Sequence, residues 1–454
     1  MKIGWVAINT DINTKRIRPV GGRYRSKRRQ SDKDEAEPDH WILLPYSVGV
    51  LQAYIQRHSE GNWRFEFLVP IIDFIPTTRA VEALKEADVV GFSVYLWNIQ
   101  HSLALAEELK KRNDEVITVF GGPQVPGGSD NFVKYHPYVD LACHGQGEEA
   151  ILSILENLPT RKWDGVPQVS YADGDGIVRR NGQDFRADDM SQYPSPYGEG
   201  VFRKLMESRP GCRWMALLET NRGCPYSCTF CDWGLEKARI MPIDVARVRE
   251  DIKWIAENEI EYVFCCDANF GILERDVDII EYLIEMKESL GYPKAFVLQN
   301  SKVNPDRTYE IHSRLWEAGI RCDVNLAVQS VNPRTLQVLK RTNMSGDRYR
   351  QLQRDFASKR ITTYTDVILG LPGETYDSFA EGVSSIIDSG EHNRIYFYNC
   401  TILPNSEMAS QEYRDLHGIA TVEQRIIAQY TPLDRQSESS VPEYMQIIVA
   451  PAAM

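Results

Sequence analysis

Short apolar runs of strand length alternate with stretches of helical spacing along most of the 454-residue chain. No other feature constrains the fold as much, because a strand–helix–strand unit sets its strands parallel and covers both sheet faces with helices. The rhythm comes in two series. In the first, strand-like runs at 2–8, 64–68, 89–94, 116–120 and 140–143 are separated by helical spacing at 45–58, 77–87 and 99–111, and a further helix runs to 158. In the second, runs at 214–220, 262–266, 295–298, 324–328, 363–369 and 395–399 alternate with helical spacing in six repeats. Pro and Gly punctuate the stretch between them. There Tyr193-Pro-Ser-Pro-Tyr197 can be neither helix nor central strand, and Asp173-Gly-Asp-Gly176 predicts a hairpin turn.

The first series predicts an α/β domain of flavodoxin-like, doubly wound parallel topology over residues 1–160, which binds ligands beyond the C-terminal ends of its strands. Residues 161–212 read as a linker with a hairpin, 213–400 as a second domain and 401–454 as a C-terminal tail whose completeness is left open. Three strand ends of the first domain carry special residues: Ser93, Tyr95, Trp97 and Asn98; Gly121, Gly122 and Pro123; and Gly145, Gln146, Gly147 and Glu148. Glycines there let a backbone approach a large ligand and aim helix N-terminal amides at it. A basic and then acidic run between Lys15 and Glu37, interrupted by Gly21-Gly22, reads as a solvated loop, with a lid over an anionic substrate as the alternative.

Cys224, Cys228 and Cys231 form a C-x3-C-x2-C triplet directly after the first strand of the second series. Three thiols within eight residues point to metal ligation, and thiolates suit iron–sulfur clusters or zinc. Zinc normally takes four ligands, and no fourth Cys or His follows at finger-like spacing. Three ligands on a four-iron cluster leave one iron open to a substrate. The other six cysteines are scattered, apart from the adjacent Cys265 and Cys266, and read as packing residues.

The triplet, with Phe230 just before its third cysteine, resembles the signature of the radical S-adenosylmethionine (radical SAM) superfamily. The three special strand ends resemble the cobalamin-binding domain found upstream of the cluster in B12-dependent members, and the tail segments 403–408 and 413–418 are similar to that family too. The resemblance implies a partial (β/α)6 barrel with its active groups on loops at the strand C-terminal ends, and three cofactors: a 4Fe-4S cluster, SAM and cobalamin. It implies that Cys224, Cys228 and Cys231 hold the cluster. Phe230, Asn269, Gln329, Ser330, Gly370 and Leu371 would contact SAM, although Asp267-Ala-Asn-Phe-Gly271 replaces the Gly-Gly-Glu usual in the family. The strand-end residues from Ser93 to Glu148 would line the corrin. The Asp-x-His-x-x-Gly motif that supplies a lower axial histidine elsewhere is absent, and His101 and His144 read as ordinary histidines near two of the turns.

The resemblance further implies a methyltransferase acting on an unactivated carbon (or phosphorus) of a small molecule, with a radical generated from one SAM and a methyl group carried by cobalamin from a second. Oxidative cyclisation with the same cofactors and a non-catalytic cobalamin- or SAM-binding regulator stay open as alternatives. The low-potential electron implies a flavodoxin or ferredoxin donor. A net charge of −12 argues against broad binding to nucleic acid or anionic membrane. No apolar run approaches a membrane span, so a cytoplasmic protein with reduced thiols is expected.

Overall fold

The computed structural model describes residues 1–9, 41–60, 65–127, 131–182, 190–233, 239–390, 393–426 and 441–450. The charged run between Lys15 and Glu37 lies outside them. Strands β1 (Lys2–Val6), β2 (Trp41–Leu43), β3 (Glu66–Phe67), β4 (Val89–Ser93), β5 (Ile117–Gly121) and β6 (Leu141–Cys143) come before the hairpin β7 (Val169–Ala172) and β8 (Val178–Arg180). All but β2 build a seven-stranded sheet in the order β3-β1-β4-β5-β6-β7-β8. Its first five strands are parallel, and β7 and β8 run antiparallel. The flavodoxin-like topology read from the sequence is therefore present. All five residues of β4 are buried, the near-continuous burial that a parallel strand covered on both faces requires. The hairpin predicted at Asp173–Gly176 forms, and it extends this sheet instead of standing alone in a linker.

The second series supplies β9 (Arg213–Leu218), the two-residue pair β10 (Asn221–Arg222) and β11 (Met241–Pro242), then β12 (Tyr262–Cys265), β13 (Ala295–Val297), β14 (Val324–Asn325), β15 (Thr363–Leu369) and β16 (Ile395–Asn399). Parallel pairing runs β9-β12-β13 and β14-β15-β16. A parallel bridge between Ala295 and Arg321 closes the seam. The six βα repeats thus form an open, partial barrel. Its helices start where the sequence provides caps: Asp244 accepts from the Ala246 amide at 2.8 Å, and Thr375 and Ser378 form a capping box.

β2 and the pairing of the C-terminal tail escaped the sequence reading, although the run at 444–449 reads as strand-like. β2 pairs with β9 and extends the barrel sheet, although it lies between β1 and β3 in sequence. Three residues after a charged run carry no readable period. The C-terminal segment folds as an antiparallel hairpin, β17 (Ala420–Arg425) and β18 (Tyr444–Ala450). β18 also pairs with the chain beyond β16, where Ile402 donates its amide to Gln446 O at 2.9 Å and Ile448 donates to Cys400 O at 3.0 Å. Among the described residues no helix is long and apolar enough to cross a membrane.

Candidate cofactor site

The cysteine loop leaves the C-terminal end of β9, and a buried carboxylate fixes its start. Asp267, just past β12, accepts hydrogen bonds from the Thr220 amide (2.8 Å), the Asn221 amide (3.2 Å), Asn221 Nδ2 (2.6 Å) and the Thr220 hydroxyl. Burial raises its carboxyl to about 7 against these donors. Gly223 follows at φ +89°, and a Cβ there would lie 2.2 Å from Arg239 O, so only glycine fits between Arg222 and Cys224. On the far side, the Thr229 carbonyl accepts from the Met408 amide at 2.9 Å, which ties the loop to the C-terminal tail.

Cys224, Cys228 and Cys231 line one cavity of about 170 Å³ with Phe230, Asn269 and Gln329. Asn269 Nδ2 donates to Cys224 Sγ at 3.1 Å. Burial pushes the Cys231 thiol up to about 11. Among the described residues no Cys, His, Asp or Glu group converges on a point as a single ion would require. The three thiols share the lining of that one cavity, which suits a cluster held by all three.

Several further residues of the cavity were not anticipated. Arg341 lines the cavity with Cys228 and donates to Ala327 O at 2.6 Å, and Lys302 lies 5.1 Å over the Tyr226 ring. Burial presses both cations toward neutrality and the cysteines oppose it. The buried Oδ1 atoms of Asn269, Asn325 and Asp366 and Oγ of Ser301 have no partner. Buried polar atoms of this kind are expected to be satisfied, and donors of a bound SAM would satisfy them. Cationic side chains beside the thiols likewise suit an anionic cluster and a carboxylate. The residues present therefore fit the cluster and SAM. A lone Arg or Lys late in the chain gives no sequence signal for this role.

Not every expected residue meets the cavity. The Ser330 hydroxyl is buried and donates to Glu374. Leu371 is fully buried in a small core with Leu339, Met408, Tyr413 and Ile448, and Gly370 packs against the backbone of Ile448. Neither Cys265 nor Cys266 lines it: Cys265 belongs to the main core, and the Cys266 amide donates to Leu218 O at 2.8 Å.

The three special turns of the first domain stand at the C-terminal ends of β4, β5 and β6. Tyr95 and Trp97 stack with ring centroids 4.6 Å apart. Asn98 is fully buried and organises the first turn, accepting from the Tyr95 amide at 2.7 Å and donating to Ile8 O at 2.9 Å. Ser93 shares a 2.9 Å hydrogen bond with Ser47. Gly122 (φ +118°) has its missing Cβ 2.6 Å from Val94 O, so neighbouring backbone demands it rather than a ligand. Around Gly121 and Gly145 a Cβ would make only ordinary contacts, at 3.7 Å to Cys143 Cβ and 3.8 Å to Gln168 Oε1, so no neighbouring backbone excludes a side chain at either turn, although Gly145 at φ +74° uses glycine's conformational freedom. Pro123 belongs to the same turn. Gln146 accepts from the Tyr193 hydroxyl at 3.4 Å, and Gly147 precedes the helix Glu148–Asn157. His101 is buried against Phe74, and His144 Nε2 lies 2.9 Å from Ser170 Oγ. Glu148 reaches across to the cysteine loop, where Arg222 pairs with it at 2.7 Å and with Glu219 at 3.0 Å.

The fold and the cysteine loop define a radical SAM protein, and the comparisons agree. The family profile of the radical SAM superfamily matches residues 218–385, and that of the B12 binding domain matches residues 67–155. The chain is 35% identical over 394 residues to the cobalamin-dependent radical SAM methyltransferase TokK of Streptomyces tokunonensis, covering 86% of this chain and 58% of that protein. It is 35% identical over 389 residues to the 2-(S-pantetheinyl)-carbapenam-3-carboxylate methyltransferase of Streptantibioticus cattleyicolor, covering 85% and 57%. It thus spans a little under three-fifths of each relative's length. The fold matches the radical SAM methyltransferase TsrM of Kitasatospora setae, solved with tryptophan and a SAM analogue (TM-score 0.68, 15% identity, 98% of this chain and 85% of that one). It also matches the cobalamin-dependent radical SAM enzyme OxsB with aqua-cobalamin (TM-score 0.61, 18% identity, 85% and 51%). The chain thus carries a B12 binding domain followed by a radical SAM domain, and these two domains imply a 4Fe-4S cluster, SAM and cobalamin as cofactors.

Proposed function

We propose that the protein methylates an unactivated carbon (or phosphorus) of a small molecule. The observation that carries this reading is the 2.7 Å pair between Glu148 and Arg222, because it would bring a corrin held at the strand ends of one sheet up to a cluster held at the strand ends of the other. When bound, the cluster and SAM supply the hydrogen-abstracting radical chemistry, and cobalamin supplies the methyl carrier. The chain's own part is placement and exclusion of water. Cys224, Cys228 and Cys231 would hold the cluster, and Asn269 both orients Cys224 and offers a free acceptor to the ligand beside it. Asn325, Asp366 and Gln329 would position the rest of SAM, with Arg341 and Lys302 balancing its carboxylate and the thiolates. Phe230 would close the apolar side. The turns at Ser93–Asn98, Gly121–Pro123 and Gly145–Glu148 would cradle the corrin. No side-chain acid or base is assigned. A flavodoxin or ferredoxin would deliver the electron in the cytoplasm.

The test is incubation of the reconstituted full chain with methyl-labelled SAM, a reductant and a panel of small molecules that includes the carbapenam named for its relative. A product heavier by one labelled methyl group supports the proposal. A product that has lost hydrogen without gaining the label replaces it with oxidative cyclisation. No turnover from a fully loaded protein points to a regulator.

A further inference from the structure

Each of the three cobalamin-side turns is gripped by a side chain from elsewhere in the chain. After β4, the amides of Gln100 and His101 donate to the two carboxylate oxygens of Glu443, both at 2.9 Å, so the C-terminal segment caps the helix Ile99–Arg112. After β5, Asn405 is read by three backbone groups of one turn: its Oδ1 accepts from the Gly127 amide at 2.6 Å, and its Nδ2 donates to Pro123 O at 2.9 Å and Val125 O at 3.0 Å. After β6, Glu148 pairs with Arg222 of the cysteine loop, and the Arg222 guanidinium also lies 5.2 Å over the Tyr193 ring. Glu443, Glu148 and Arg222 are all largely buried.

From this coincidence we infer that Arg222, Asn405 and Glu443 are positioning residues that hold the cobalamin cradle in register with the cluster. This rests on the cobalamin-binding reading of the three turns. The physical reason is specific. Each grip is made to backbone amides and carbonyls or to a buried charge, so it fixes where a turn sits rather than merely adding contact area. Two of the three residues lie beyond the sixth strand of the barrel, so the C-terminal segment clasps the first domain. Each grip satisfies groups that would otherwise be unpaired, so loss of one leaves its turn free to shift before any ligand arrives.

The experiment is a spectroscopic titration of the full chain with hydroxocobalamin, using Asn405→Ala, Glu443→Ala and Arg222→Gln beside Arg222→Lys, with iron content and melting temperature measured on the same samples. We expect each of the first three variants, measured on its folded and iron-loaded fraction, to bind hydroxocobalamin about tenfold more weakly, with iron loading kept and with the loss of affinity not following the fall in melting temperature that the broken buried contacts bring. Arg222→Lys, which keeps the charge facing Glu148, recovers most of the affinity. Wild-type affinity in all three variants overturns the inference. So does a loss of affinity that only tracks a loss of iron and melting temperature, since that is a general structural role. Failure of the wild-type chain itself to bind hydroxocobalamin overturns the cobalamin reading instead.

Discussion

The sharpest stability prediction concerns Asp267. Its carboxylate receives four hydrogen bonds from Thr220 and Asn221, whose exposures are 0% and 4%. Asp267→Ala removes every acceptor at once. The Thr220 hydroxyl can rotate away, and Asn221 Nδ2 keeps a 3.4 Å contact with it, so the two backbone amides decide the cost. At about 1–3 kcal/mol for each buried unsatisfied donor, with some further loss for the cavity, the variant should lose about 3–5 kcal/mol. Asp267→Asn keeps Oδ1 for both amides and opposes only the Asn221 side chain, so it should lose about 1–2 kcal/mol. Urea denaturation measures both. Because Thr220 lies four residues before Cys224, the Ala variant should also take up less iron during reconstitution. The reasoning is refuted if the two variants are equally destabilised, or if Asp267→Ala unfolds at the wild-type midpoint.

The remaining predictions are briefer. Gly223→Ala puts a Cβ 2.2 Å from Arg239 O at φ +89°, and the clash with left-handed strain should cost about 2–4 kcal/mol and reduce iron content, read by the melting temperature and iron assay. Asn269→Ala should weaken SAM binding about tenfold in the cluster-loaded protein, measured by equilibrium binding, with the three cysteines still holding iron. Glu443 gives a pH effect. Burial raises its carboxyl to about 7, above the ordinary 4.5, so the native state holds its proton where the unfolded chain has lost it. Its contribution to stability is fully present below about 4.5 and is lost as pH rises toward about 7, by about 2–3 kcal/mol. Glu443→Gln cannot titrate, and its denaturation midpoint should vary less across that window than that of wild type.

Much of this architecture is legible in the sequence. Parallel strands buried on both faces, such as Val89–Ser93, are continuous apolar runs, and the helices between them keep an unbroken period. The cysteine triplet stands out because three thiols have few other uses at that spacing. What escaped has physical causes. β2 has only three residues, too few to show a period. The helices Asn131–Tyr135 and Arg203–Glu207 have five residues each and complete barely more than one turn. Arg341 and Lys302 look like ordinary surface cations in sequence, and only folding buries them beside the thiols. Gly122 reads as an opening for ligand, yet Val94 is what demands it. Ser330 and Leu371 follow strands, as site residues do, but their side chains turn to Glu374 and to a core. The grips by Asn405 and Glu443 join residues about 280 to 340 positions apart in the chain, beyond any local pattern.

The radical SAM assignment stands or falls on the cysteine loop. The most direct measurement is formation of 5′-deoxyadenosine from SAM by the reduced, reconstituted full chain, compared with the Cys224→Ala/Cys228→Ala/Cys231→Ala variant. Steady formation by wild type and none by the variant is the predicted result, and the variant should also lose the iron–sulfur absorbance. Cleavage of SAM that survives removal of the three thiols would contradict the assignment.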